Sequence, residues 1–233
     1  MASSGPLVDV YDCAMFDLDG VVYVGPRVID GVPDRLRQAR KRNLTVAFVT
    51  NNASRTAEQV AQHLRDLGVE AAASDVVTSA QAAASEVAAR VPSGERVLVI
   101  GGEGLEEALR ERDFVPVLAG ADIPEPDQSD ASAPMAVVQG FAPSVSWRQL
   151  AHGAAVISSG ALWVASNLDL TIPTAYGISP GNGTLVNAVA AAVGRRPDVV
   201  AGKPFRPLFD ETVRRVSAGR PLVVGDRLDT DIE

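Results

Sequence analysis

The chain has 233 residues, 46% of them hydrophobic, enough for a sizeable core and, by its length, for two domains. Its net charge of −8, with dispersed basic residues, excludes a nucleic-acid face, so no nucleic-acid partner is expected. A single cysteine excludes an intrachain disulfide, and two histidines far apart supply no zinc set. With no apolar run long enough for a bilayer and no signal-like segment in MASSGPLVDV, we expect a soluble cytoplasmic protein without membrane partners.

The elements begin with YDCAMFDLDG, Tyr11 to Gly20. A short apolar run, Ala14 to Phe16, delivers Asp17 and Asp19 to its end, and Gly20 breaks it. An Asp-Gly turn after a strand is common. Two carboxylates so close at a sheet edge, however, repel unless a cation or a useful pKa shift accompanies them. Val32 to Arg42 reads as a helix with Val32, Leu36 and Ala39 on one face. Thr45 to Val49 is a short buried strand that empties into Thr50-Asn51-Asn52. Thr56 with Gln59 makes a capping box for a helix ending near Leu67, closed by Gly68.

A second block starts near Ser79. It reads as a helix from Gln81 to Val91, a strand from Arg96 to Ile100, a helix from Glu103 to Arg112 and a strand from Phe114 to Leu118. Gly120 to Pro134, rich in Asp, Pro, Ser and Ala, is expected as a surface loop. Strand Met135 to Gln139, helix Ser146 to Ile157 and strand Leu162 to Ala165 complete this alternating unit. The first domain is then expected to resume at Gly181, with helix Thr184 to Val193 and strand Asp198 to Ala201 leading to Gly202-Lys203-Pro204. Helix Leu208 to Val216 and strand Pro221 to Val224 follow, and that strand ends in Gly225-Asp226-Arg227-Leu228-Asp229-Thr230-Asp231. The alternation argues for an α/β fold with a doubly wound parallel sheet over 1–80 and 181–233. Residues 81–180 are read as an inserted α/β domain. A helix and one further strand would normally follow Asp231, so the chain is expected to be a fragment or to lack its C-terminal part.

Four polar clusters directly follow apolar strands: Asp17/Asp19, Thr50/Asn51/Asn52, Lys203 and Asp226/Asp231. In an open parallel sheet, groups past the carboxyl ends of strands gather in one crevice. Asp17, Asp19 and Asp226 supply hard oxygen ligands, which points to Mg²⁺. Thr50, Asn51 and Lys203 supply hydroxyl, amide and ammonium donors suited to phosphate oxygens. A free carboxylate among these groups fits phosphoryl transfer to an aspartate nucleophile. Lysine is scarce, since only Lys41 and Lys203 occur among 21 basic residues, which favours a placed ammonium at Lys203. Plainer readings stand beside these: Thr50-Asn51-Asn52 as a turn capped by Ser54 or Thr56, and the last aspartates as helix caps, with Asp229 the non-catalytic one.

Gly101-Gly102-Glu103-Gly104 has Glu107 where a dinucleotide fingerprint needs its third glycine, and Gly181-Asn182-Gly183 has Val186 there. Structural turns account better for both, which weakens a nucleotide-binding oxidoreductase reading. His63 and His152 fall on expected helices and read as ordinary helix residues.

The motifs DLDG (Asp17 to Gly20), VTNN (Val49 to Asn52), GKP (Gly202 to Pro204) and GDRLDTDI (Gly225 to Ile232) resemble the four motifs of the haloacid dehalogenase superfamily. Their order and spacing are similar to its p-nitrophenylphosphatase-like branch, which includes phosphoglycolate and glycerol 3-phosphate phosphatases. The resemblance extends over nearly the whole chain, through SNLDLTIPT and PGNGT. It implies a Mg²⁺-dependent phosphatase for a small phosphorylated metabolite, with 81–180 as a large α/β cap. Asp17 would be the nucleophile that forms an aspartyl-phosphate. Asp19 would protonate the leaving alkoxide and then activate water. Mg²⁺ would be held by the Asp17 carboxylate, the Asp19 backbone carbonyl and Asp226, with Asp231 supporting the site from behind. Thr50 and Asn51 would bind phosphate, with Asn52 close to the substrate, and Lys203 would orient nucleophile and phosphoryl group. The stretch Asn167 to Thr174 would face the leaving group, with Ile172 a specificity position. Caps of this type can form homodimer contacts, and the oligomeric state stays open. The alternative is a non-catalytic phosphometabolite-binding protein on the same fold, against which the intact Asp17/Asp19 pair argues.

Overall fold

The computed structural model describes residues 5–120 and 133–232, so most of the loop expected from Gly120 to Pro134 lies outside the described residues. Strand β1 (Cys13–Phe16) is followed by a short hairpin of β2 (Tyr23–Val24) and β3 (Arg27–Val28), then helix α1 (Val32–Lys41), β4 (Thr45–Thr50), α2 (Ala57–Asp66) and β5 (Val76–Thr78). Next come α3 (Ser79–Ala88), β6 (Arg96–Ile100), α4 (Glu103–Arg110), β7 (Val115–Leu118), β8 (Ala136–Gln139), α5 (Trp147–Ser158) and β9 (Leu162–Ala165). The hairpin β10 (Thr171–Thr174) and β11 (Gly177–Pro180) leads to α6 (Asn182–Val193), β12 (Val199–Val200), α7 (Arg206–Val216) and β13 (Pro221–Val224). A wide helical turn over Leu228–Ile232 ends the described chain.

The described residues form two compact units. The first contains the residues up to Thr50, Ala57–Thr78 and those from Lys203 onward. Its sheet runs β13-β1-β4-β5, with every pair parallel. Strands buried on both faces read as continuous apolar runs, as Cys13–Phe16 and Val46–Val49 do. Helix α2 presents Val60, Ala61 and Leu64 to this core, where they join Phe48, Leu36 and Val22. Full burial of side chains such as Phe48 and Leu64 contributes about 1.5–3 kcal/mol each.

The second unit comprises Asn51–Thr56 and Ser79–Gly202. Its sheet runs β12-β9-β8-β6-β7, again all parallel. Trp163 at its centre is fully buried and donates its Nε1–H to Gln139 Oε1 at 3.2 Å, so the indole's polar atom is not left unpaired. Helix α5 starts at Ser146, whose side chain and that of Gln149 form a capping box.

Most elements fall within a few residues of the sequence reading, and the α/β class with parallel sheets is as the alternation requires. Three features differ. Strand β5 is only three residues long and too short to read as a periodic run. The β10–β11 hairpin takes up residues that read as loop; its turn uses Gly177 at φ +103°. Residues 181–202 stay with the second unit instead of returning to the first, because Val199–Val200 pairs with β9 and α6 buries Val186 and Val189 in the Trp163 core. Gly101 to Gly104 and Gly181 to Gly183 form helix starts, Gly102 ahead of α4 and Gly181 ahead of α6. Among the described residues no helix is long and apolar enough to cross a membrane.

Candidate active site

Parallel register decides which side chains emerge together at the sheet edge. Phe16 at the end of β1 pairs with Val224 of β13 on one side and with Phe48 of β4 on the other. Asp17, Gly225-Asp226 and Thr50 therefore leave the first unit's sheet at its carboxyl edge, where such sheets bind ligands. The Asp17 N–H donates to Val224 O at 2.9 Å, which fixes the strand end. The chain then turns, with the N–H groups of Val22 and Tyr23 donating to Leu18 O. Gly20 sits at φ +87°, and a Cβ there would overlap the Asp226 carboxylate. Both the backbone conformation and the close approach require glycine at this position.

Lys203 is 5% exposed, and its Nζ donates to Asp17 Oδ1 at 2.6 Å and to Asp231 Oδ1 at 2.5 Å. Asp231 is buried too, and its Oδ2 accepts from the Arg227 N–H at 3.1 Å. Burial raises the Asp17 carboxyl above its ordinary value; Lys203 opposes that rise and the Asp231 charge adds to it. Asp19 lies nearer the surface. Partial loss of water and the Asp226 charge raise it, against the backbone N–H of Gly25 in the β2–β3 turn and the charge of His63. His63, read from sequence as an ordinary helix residue, also stands edge-on to Tyr23, with ring centroids 5.2 Å apart. Asp229 is exposed and turned to Arg227, which lowers it.

Ligand oxygens of Asp17, Asp226 and Asp231 lie within 4.8 Å of one another. The donor set is all hard oxygen, and a single ammonium faces more carboxylates than it can neutralise. That chemistry fits a hard divalent cation such as Mg²⁺. The sequence reading placed Asp231 behind the metal and brought Asp19 to it through a backbone carbonyl. Here the clustered side chains are those of Asp17, Asp226 and Asp231.

Thr50 ends β4 and is nearly buried. Asn51 and Asn52 follow it directly but belong to the second unit, where both side chains are engaged. Asn51 Nδ2 donates to Asp169 Oδ2 at 3.1 Å. The Asn51 carbonyl accepts from Ser79 Oγ and from Asn167 Nδ2, each at 2.7 Å. Asn52 Oδ1 accepts from the backbone of Ser54 and Arg55 and from the Ser54 hydroxyl, an Asx turn. Sequence reasoning did not find Ser79, Asn167 and Asp169 as partners of Asn51, because contacts across 28, 116 and 118 residues leave no local signal. Ile172 lies in β10 opposite Ser179.

A family model for haloacid dehalogenase-like hydrolases matches residues 14–115, and a second, HAD-hydrolase-like, matches residues 200–233. A D-glycerol 3-phosphate phosphatase of Mycobacterium tuberculosis is 46% identical over 223 residues, covering 96% of this chain and 59% of that protein. An acid sugar phosphatase of Staphylococcus aureus is 33% identical, covering 95% and 81% respectively. The crystal structure of glycerol phosphate phosphatase from Mycobacterium tuberculosis in complex with magnesium superposes with a TM-score of 0.87 at 44% identity, covering 97% of this chain and 65% of that one. The chain thus spans about three-fifths of the length of its Mycobacterium relative.

Proposed function

The chain belongs to the haloacid dehalogenase-like hydrolases, and from that premise we propose that it acts as a Mg²⁺-dependent phosphatase on a small phosphomonoester. The observation that carries this reading is Lys203, whose buried ammonium joins Asp17 to Asp231 at 2.6 and 2.5 Å beside Asp226. Such an arrangement holds a carboxylate ready for attack and keeps positive charge where an anionic substrate must approach.

Asp17 attacks phosphorus and forms the aspartyl-phosphate. Asp19, raised by loss of water and by Asp226, donates a proton to the leaving alkoxide and then takes one from the attacking water. Lys203 keeps Asp17 in one orientation, and Asp231 keeps Lys203 in place. Thr50 and the Asn51 segment serve as phosphate donors by their chemistry and their position directly after β4. Asp17, Asp226 and Asp231, with the Asp19 carbonyl, would hold Mg²⁺, which when bound supplies charge neutralisation between nucleophile and phosphate. In this reading the first unit is the catalytic core and the second the cap, in a cytoplasmic protein.

Glycerol 3-phosphate is the substrate named for the Mycobacterium relative, and so it comes first among candidates. The test is Mg²⁺-dependent release of phosphate from glycerol 3-phosphate and p-nitrophenyl phosphate by the full chain, and its loss in Asp17→Asn. Turnover that survives this substitution would exclude Asp17 as the nucleophile.

A further inference from the structure

The second unit buries the amide side chains of Gln139, Asn167 and Asn182 around one short loop. Asn167 is 5% exposed, Asn182 1%, and Gln139 and Ser79 are fully buried. Asn167 Nδ2 donates to Asn51 O at 2.7 Å, and its Oδ1 accepts from the Asp169 N–H at 3.1 Å. Asn182 Nδ2 in turn donates to Asn167 O at 2.8 Å and reaches Gln139 O at 3.3 Å. Among the described residues Gln139 Nε2 and Asn182 Oδ1 have no partner, so the network persists although it costs something to bury.

Its geometry converges on one peptide. The Asn51 carbonyl takes hydrogen bonds from both Asn167 and Ser79. A peptide unit is planar with its C=O and N–H opposed, so fixing that carbonyl also fixes the direction of the Asn52 N–H. The Asn51 carboxamide is directed to Asp169. Gly202 packs so tightly here that a Cβ would meet Asn51 Oδ1 and Ser166 O, and Lys203 is the next residue. Three places where the chain passes from one unit to the other, at Asn51, Ser79 and Gly202, are therefore joined within the second unit around Asn167.

We propose that Asn167, seconded by Ser79, is a positioning residue for the phosphate-binding loop at Thr50 to Asn52, and that its carboxamide does not recognise the leaving group. This rests on the phosphatase reading above. Asn167 acts on substrate only through Asn51, and so its effect follows the phosphate, which all substrates share, and not the alcohol, which differs among them.

The experiment compares wild type, Asn167→Ala and Ser79→Ala in the full chain; both substitutions are neutral and leave the charge of the site unchanged. For each, kcat/KM is measured with glycerol 3-phosphate and with p-nitrophenyl phosphate, together with the inhibition constant of inorganic phosphate. Loss of one hydrogen bond to the part-buried Asn51 carbonyl predicts a fall of about tenfold for Asn167→Ala and a smaller one for Ser79→Ala. The fall is the same for both substrates, and the phosphate constant rises by the same factor. A loss confined to one substrate with unchanged phosphate inhibition would make Asn167 a leaving-group contact and overturn the proposal, as would no change in either variant. Should Asn167→Ala fail to fold, Ser79→Ala, which keeps the Asn167 bond, carries the same comparison. A wild type without turnover would overturn the phosphatase reading by itself, and calorimetric titration with inorganic phosphate would then decide the positioning role alone.

Discussion

Replacing Lys203 by methionine removes the ammonium from a nearly dry site while keeping most of the side chain's length. Its side chain is 5% exposed, and those of Asp17 and Asp231 are 16% and 1% exposed. At an effective dielectric near 20, each contact carries about 6 kcal/mol of Coulomb attraction. Desolvation of the ions and the repulsion between the two carboxylates offset much of this, so breaking the buried pair costs about 3–5 kcal/mol net. That is a large share of the roughly 5–15 kcal/mol by which a domain is stable. Urea unfolding of the full chain in EDTA measures it directly. Turnover should fall by about 10²–10³, the loss typical of removing one positioned group that stabilises developing charge. A second variant separates the two effects. Combining Lys203→Met with Asp231→Leu removes both charges and should restore part of the stability, because an apolar pair in place of a buried ion pair is often neutral or better. It should restore no activity. Mg²⁺ should stabilise Lys203→Met more than wild type, since the cation would then meet the carboxylates without a competing ammonium. Unfolding free energies equal within 1 kcal/mol, or turnover near wild type, would refute the reading of Lys203 as the charge that holds Asp17.

Two further substitutions test the frame around this centre. Gly20→Ala puts a side chain at φ +87° and into the Asp226 carboxylate. It should cost about 1–3 kcal/mol in backbone strain and weaken the apparent Mg²⁺ affinity at least about tenfold; an unchanged Mg²⁺ titration would contradict the close approach. Asp198 tests pH dependence away from the site: its Oδ2 accepts from the Trp163 N–H at 2.7 Å, and Arg195 Nη1 donates to both its oxygens at 2.9 Å. Burial works to raise this carboxyl, but those bonds and the Arg195 charge outweigh it and hold it below the ordinary value of 3.8. A depressed folded value means stabilisation that is complete above 3.8 and disappears as pH falls through the lower folded value. Asp198→Asn should therefore be less stable by about 1 kcal/mol near neutrality, after allowance for solvent screening, and the gap should close in acid. A gap that stays constant or widens on acidification would show that the charge is not what matters.

How far the sequence could be read follows from where each signal is stored. Strands β1 and β4 are legible because strands buried on both faces must be continuous apolar runs; β13, half-buried at the end of the described sheet, is apolar throughout as well, and polar residues follow each at once. Strand β5 has three residues, below the length at which periodicity means anything, whereas β12, two residues long, lies inside the strand read at Asp198 to Ala201. The place where the chain leaves the second unit is set by β12 pairing with β9, a long-range hydrogen-bond choice that residues 181–202 do not announce. The same limit applies at the site. That Asp17, Thr50, Lys203 and Asp226 stand at strand ends follows from local pattern; which carboxylate grips Lys203 does not. Asp231 read as a residue behind the metal, and only the wide turn after β13 brings its carboxylate to the ammonium. Asn167 is the harder case. In sequence it is a polar residue just past a strand, the place where surface loops begin, and nothing nearby hints that the residue is 5% exposed and its carboxamide spent on a carbonyl 116 residues earlier. A buried amide offers two kinds of hydrogen-bonding group and tolerates little misalignment, so it encodes geometry and not reactivity. Motif reading finds groups that react with substrate. It passes over groups whose partners are backbone atoms, and in this chain those are the groups that hold the Asn51 peptide.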